Sequence, residues 1–224
     1  MVTTDGAART ASSDDGPAVS TLYYVHDPMC SWCWAFRPSL LQLREKLPGE
    51  VHWINVLGGL APDTDQPMPA EMRQMVQGHW RNIQASVGTE FNFDFWDKCQ
   101  PRRDTYKACR AVISAANQGA EEAMIEAIQR AYYLRAMNPS GPEALAGLAD
   151  ELGLDRVLFT RDFESAETED ELQRQFQLRR ALGVRSFPSL VLELEKDRVL
   201  VSHDYRDYRV PLGQVMAVLD RAAS

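Results

Sequence analysis

Cys30 and Cys33, with Ser31 and Trp32 between them, are the residues whose types and spacing point most directly to chemistry. A cysteine thiolate is the nucleophile of disulfide exchange, and a thiol held at the first turn of a helix is favoured as thiolate by the unsatisfied N–H groups and the helix dipole there. A second sulfur one turn further on lies within disulfide reach. A mixed disulfide on Cys30 is then resolved by Cys33 without movement of the chain. Two blander readings compete with this one: a pair of buried apolar side chains, and half of a zinc site. Zinc needs a second ligand pair, and Cys99 with Cys109 is the one cysteine pair left. Its wide spacing, with Pro101 inside it, fits poorly with closely spaced zinc ligands. On one straight helix those two cysteines would stand about 15 Å apart, so they are expected as reduced thiols. No metal and no cofactor are expected.

The elements that must position this pair follow from periodicity. Residues 21–26 (TLYYVH) are β-branched and aromatic and predict a strand, broken by Asp27-Pro28. A helix is expected from about Cys30 to Leu47, with Phe36, Leu40, Leu43 and Leu47 on one face. Pro38 lies inside it, where a proline would kink the axis. Residues 51–57 predict a second strand, parallel to the first because a helix connects them. Helical spacing then dominates: Pro69 to about Val87, Asp104 to about Gln118, Glu121 to about Met137, Pro142 to about Gly153, and Glu169 to about Leu182. Period two returns at 189–194, with a tight turn expected at Lys196-Asp197, a hairpin partner at 199–201, and a last helix from Pro211. Strand–helix–strand, a helical block, then hairpin–helix gives an α/β chain: a thioredoxin fold with an inserted all-helical domain. The expected parts are a disordered tail at 1–20, a thioredoxin-like domain from 21–61 and 184–224, and a helical insertion over 62–183.

Composition narrows the partners. The chain has 224 residues and a net charge of −8, without the basic stripe that phosphate binding needs, so nucleic acid is not expected. No run approaches the roughly 18 apolar residues of a membrane-spanning helix. The first twenty residues show no basic segment followed by an apolar run, which predicts a cytoplasmic location. In a reducing compartment a lone pair of this spacing reads as redox-active or metal-binding rather than structural.

Residues 23–36 (YYVHDPMCSWCWAF) resemble the active-site segment of the DsbA family of thioredoxin-fold thiol–disulfide oxidoreductases, in particular its FrnE-like cytoplasmic branch. Residues 183–190 (GVRSFPSL) are similar to that family's cis-proline loop, and the helical block is similar to its inserted domain. The resemblance implies an oxidoreductase or isomerase acting on protein or peptide disulfides and thiols; glutathione is a further candidate partner. It assigns Cys30 as nucleophile, Cys33 as resolving thiol, and Pro188 as the cis-proline facing them, beside Phe187 and Trp32 on the substrate side. Read from local sequence alone, Pro188 could equally be a trans proline opening an edge strand.

Asp27 could tune or cap the site, or be plain turn chemistry before Pro28. His26 could add positive charge beside Cys30; none of His26, His52, His79 and His203 has ligand spacing. Phe91 to Trp96 and Tyr132-Tyr133 could line a substrate surface, but are expected as core between the two domains. Ser31 and Trp32 bring no positive charge, so the pair is expected to be less oxidising than in the periplasmic members of that family. The alternative function is a glutathione-dependent transferase or isomerase of the kappa-class or 2-hydroxychromene-2-carboxylate isomerase type. Those proteins resemble this chain at the Asp-Pro turn but carry serine at the nucleophile. A third class is a partner-binding module whose cysteines sense redox state.

Overall fold

The computed structural model describes residues 20–195 and 197–222. In chain order the elements are β1 (Ser20–His26), α1 (Ser31–Lys46), β2 (Val51–Leu57), α2 (Ala70–Val87), α3 (Phe95–Lys98), α4 (Tyr106–Ala116), α5 (Glu121–Tyr133), α6 (Pro142–Glu151), α7 (Arg156–Phe163), α8 (Ala166–Ala181), β3 (Ser189–Leu194), β4 (Asp197–Val201) and α9 (Arg209–Ala222). The strands form one mixed sheet in the order β2-β1-β3-β4, with β1 and β2 parallel and the other pairs antiparallel. This is a thioredoxin fold with a helical insertion between β2 and β3.

Alternation along the strands decides what each sheet face buries. Leu22, Tyr24, Leu190 and Leu192 pack with Phe36, Leu40 and Leu43 of α1 and Val215 of α9. Val25, Val56 and Val191 pack on the opposite face with Leu182 and Val184, just after α8. The largest apolar cluster fills the insertion around Trp80, Phe91, Phe95, Tyr132 and Tyr133, and it also takes in Met29, Ala35 and Leu57. The insertion is therefore joined to the strand ends and to α1 by continuous core, and the aromatic stretches lie inside it as expected.

Several expected boundaries move. Ser20 is not tail: it pairs with Val51 and Leu194 and is buried, while the rest of the expected tail lies outside the described residues. The last hairpin turns one position earlier than expected, because Asp197 already pairs with Leu194; Glu195 holds a positive φ of 55° in the turn, and Lys196 lies outside the described residues. α5 ends at Tyr133, and Ala136 at φ 51° turns the chain back. Two helices went unforeseen, α3 and α7. The second carries an N-cap signal, Asp155, whose side chain accepts from Val157 and Leu158 amides. Ser165 caps α8 in the same way, so that the helix starts at Ala166, three residues before the Glu169 that periodicity indicates. α9 begins at Arg209, leaving Pro211 in its first turn, where the missing N–H costs nothing.

Candidate functional site

The Asp27-Pro28-Met29-Cys30 turn delivers the first cysteine to the start of α1. The Cys30 amide donates to the Asp27 carbonyl at 3.0 Å, and the Met29 amide donates to Asp27 Oδ1 at 2.8 Å. Asp27 Oδ2 reaches away from the turn, accepting from the Leu60 amide at 2.6 Å and the Thr105 hydroxyl at 2.7 Å. One fully buried carboxyl thus ties the cysteine turn to the chain after β2 and to the start of α4. Burial pushes its pKa up, against those hydrogen bonds and the through-space pull of Arg103, which lower it. Asp27 is both turn chemistry and a tie between the site and the insertion.

Cys30 and Cys33 are free thiols with unlike surroundings. Cys30 is 6% exposed, lines a cavity, and its thiol donates to the Phe187 carbonyl at 3.7 Å. Cys33 is wholly buried; desolvation, then the neighbouring Cys30 sulfur, push its pKa well above the usual thiol range. His26 does not bring positive charge. It is fully buried, stacked on Tyr24 at 4.7 Å, and desolvation lowers its pKa to about 4, so the ring is neutral at pH 7. The sequence leaves this open because the burial comes from packing across the sheet.

The Phe187–Pro188 bond is cis and lies beside Cys30 through that carbonyl. The Phe187 ring sits end-on over Gly58, where an added Cβ would come within 2.1 Å of the ring. Arg179 flanks the ring at 5.9 Å and donates to the Gly58 carbonyl at 2.7 Å. Trp32 is half-buried and rests on Tyr205, 5.0 Å between ring centroids. Tyr205 in turn contacts Phe36 and is hydrogen-bonded to His203 at 3.1 Å.

The cavity beside Cys30 measures about 330 Å³. Trp32, Trp80 and Phe187 form apolar parts of its wall; Arg103, Arg185 and His79 supply polar ones. Neither arginine was singled out in the sequence, because Arg103 comes from the loop before α4 and Arg185 from the loop after α8. Cys99 and Cys109 are not brought together as a pair. The Cys99 thiol donates to the Ala136 carbonyl, and Cys109 lies buried with its sulfur 3.9 Å from Asp27 Oδ2. Among the described residues no group of three His, Cys, Asp or Glu side chains is placed to hold a metal, and no helix is long and apolar enough to cross a membrane.

The family model described as thioredoxin matches residues 23–210. The chain belongs to the thioredoxin family. Among solved structures, a candidate protein disulfide isomerase of Nitrosomonas europaea is 30% identical with a TM-score of 0.78, covering 90% of this chain and 98% of that one. The cytosolic disulfide reductase DsbM of Pseudomonas aeruginosa, also solved with glutathione, is 27% identical with a TM-score of 0.72, covering 88% and 99%. DsbA oxidoreductases share the fold at lower identity. A curated relative, the ClpXP adapter protein SpxH of Halalkalibacterium halodurans, is 24% identical over 182 residues, which are 76% of this chain. The chain spans 57% of that relative's length.

Proposed function

We propose that this chain is a thiol–disulfide oxidoreductase that acts on protein or peptide disulfides, with Cys30 as nucleophile and Cys33 as resolving thiol. The observation that carries this reading is the asymmetry of the pair: Cys30 opens onto the cavity at the start of α1, while Cys33 is sealed behind it. The Cys30 thiolate attacks one sulfur of a substrate disulfide, whose other sulfur leaves as thiolate and takes up a proton. Cys33 then loses its proton and attacks Cys30 Sγ. The Cys30–Cys33 disulfide forms and the second substrate thiolate is released. Trp32, Phe187 and Pro188 bound the approach to Cys30.

A high pKa on Cys33 suits its place in this sequence: it stays protonated while Cys30 reacts, and acts as a nucleophile only once a mixed disulfide forms beside it. Glutathione is a fitting low-mass thiol for the cycle, since DsbM has been solved with it, and that protein's description as cytosolic supports a cytoplasmic location. Reduction of insulin or reshuffling of scrambled ribonuclease tests the reading. Cys30→Ser is expected to abolish activity and Cys33→Ser to accumulate mixed disulfides; wild-type turnover by Cys30→Ser would sink it.

The name of the SpxH relative favours a second reading, an adapter that delivers a protein partner. Under it the fold binds a partner whether or not the thiols react. Partner capture that persists in Cys30→Ser/Cys33→Ser, without disulfide turnover in the wild type, would favour the adapter.

A further inference from the structure

The cavity beside Cys30 has a charge character opposite to that of the whole chain. Acidic residues outnumber basic ones by 32 to 24 overall, and most arginines are engaged by a carboxylate or a carbonyl oxygen. Yet Arg103 and Arg185 both line this cavity, His79 joins them, and among the described residues no acidic side chain does. Among the described residues neither guanidinium makes an ion pair or a hydrogen bond; Arg103 acts on Asp27 and Tyr132 only through space. Arg103 is half-buried, so its unpaired charge is partly withdrawn from water. A desolvated guanidinium without a partner is costly, and its planar fork suits a carboxylate.

We propose that this cavity selects low-mass thiols and disulfides that carry carboxylates, with Arg103 and Arg185 as the carboxylate-holding residues. The inference rests on the oxidoreductase reading above and adds the charge class of its small thiol partner. Size favours a small ligand over a protein segment: about 330 Å³ is at the lower end of small-molecule sites, and Trp32 and Phe187 wall the space beside a cysteine that is only 6% exposed. Bound there, an anionic thiolate attacks Cys30 Sγ of the Cys30–Cys33 disulfide. The bond to Cys33 breaks, Cys33 leaves as thiolate and takes a proton from solvent, and the thiol remains as a mixed disulfide on Cys30. A second thiolate attacks the thiol's own sulfur in that mixed disulfide. The low-mass disulfide departs and Cys30 returns as thiolate, so two thiols are oxidised for each protein disulfide reduced.

The test is the rate at which the oxidised full-length chain is reduced by glutathione (net anionic), 2-mercaptoethanol (neutral) and cysteamine (cationic), followed by the fluorescence of Trp32 and Trp34. Each rate is taken per thiolate and divided by the same thiol's rate with hydroxyethyl disulfide, which removes intrinsic reactivity. The expected result is a glutathione-to-cysteamine ratio about tenfold or more above that reference. Arg103→Gln and Arg185→Gln should each lower it by roughly threefold to fivefold, the scale of a partly exposed ion pair. The double Gln variant should bring it to the reference, and Arg103→Lys/Arg185→Lys should keep most of it.

A ratio equal to the reference in the wild type, or one that survives in a double Gln variant with unchanged melting temperature, would overturn the proposal. So would acceleration of an acidic peptide disulfide with no preference for glutathione, which would reassign the arginines to a protein substrate. Failure of neutral 2-mercaptoethanol to reduce the Cys30–Cys33 disulfide at all would sink the oxidoreductase reading and this one with it. A normal neutral rate without charge preference would remove this one alone.

Discussion

The two sides of the Cys30–Cys33 pair are built on opposite principles. On the Cys33 side, Tyr24, His26 and Asp27 are buried, and every charge there is suppressed or tied down by hydrogen bonds. On the Cys30 side the chain opens a cavity lined by two guanidiniums that have no partner among the described residues. Two residues of sequence thus separate a sulfur sealed in low dielectric from one that borders a cavity lined in part by cations. The lesson is that reactivity in such a pair is set by which sulfur is sealed, a property of packing rather than of the motif.

The largest expected effect comes from breaking the sealed side at Asp27. Asp27→Leu removes the acceptor for the Met29 and Leu60 amides and the Thr105 hydroxyl together. With the Met29 amide unpaired, and the Leu60 amide and Thr105 hydroxyl left only their longer contacts at 3.1 and 3.3 Å, the loss should cost roughly 3–5 kcal/mol. Asp27→Asn keeps one oxygen acceptor and should cost about half as much. Denaturant titration of both variants checks the order; equal stability of Asp27→Leu and wild type would show that the carboxyl does not tie the turn to the insertion.

His26 sharpens the comparison through pH. Its pKa falls from the ordinary 6.5 to about 4 in the folded chain. The unfolded chain therefore takes up the proton first. The stability this group contributes is fully present above pH 6.5 and is lost as pH falls from 6.5 towards 4, at about 1.4 kcal/mol per pH unit, or roughly 3 kcal/mol in all. Asp27, with its pKa raised, works in the opposite sense, its contribution being lost as pH rises through its folded value. His26→Phe retains an aromatic ring against Tyr24 and should flatten the acid limb of a stability-against-pH curve between pH 6.5 and 4. An unchanged slope would mean that other groups carry it.

Gly58 tests the junction between the sides. Gly58→Ala drives a Cβ into the Phe187 ring, so the residue whose carbonyl accepts from the Cys30 thiol must repack. Disulfide exchange should slow by about tenfold, equivalent to roughly 1.4 kcal/mol, with a smaller change in stability. If the effect runs through the ring, Gly58→Ala should add little in a Phe187→Ala background, which a double-mutant cycle reads directly.

The legible and the illegible parts of the sequence divide along the same line. β1, β2 and α1 could be read because local alternation and helical spacing agree with what the sheet buries, and 30-CSWC-33 could be read because its spacing is itself the chemistry. α3 was missed because four residues are too few to show a period, and α7 because its one strong cue was a cap. The neutrality of His26 and the isolation of Arg103 and Arg185 depend on partners brought from distant segments, or on their absence, so no local pattern could carry them. Gly58 belongs with these: its lack of a side chain matters only because the Phe187 ring arrives from the far side of the insertion.

The smallest effect is expected on the open side, at Met75, which lines the cavity and is 51% exposed. A carboxylate placed there stays in water, so Met75→Glu should change stability by no more than about 0.5 kcal/mol, a shift in melting temperature within about 2 °C. The same substitution at Val56, wholly buried on the sheet face beneath α8, would strand a charge in the core and should prevent folding. Thermal melts of the pair read the contrast directly. Met75→Glu also places negative charge in the cavity lined by Arg185 and His79, opposing the field of the guanidiniums. The expected consequence is a two- to threefold fall in the glutathione-to-cysteamine ratio, of the order of one exposed charge interaction. The neutral thiol feels no such field, so its rate is the internal reference that separates a changed charge from a blocked cavity. A fall in all three rates together would mean that the longer side chain obstructs the approach to Cys30, and that the open side is bounded by shape rather than by charge.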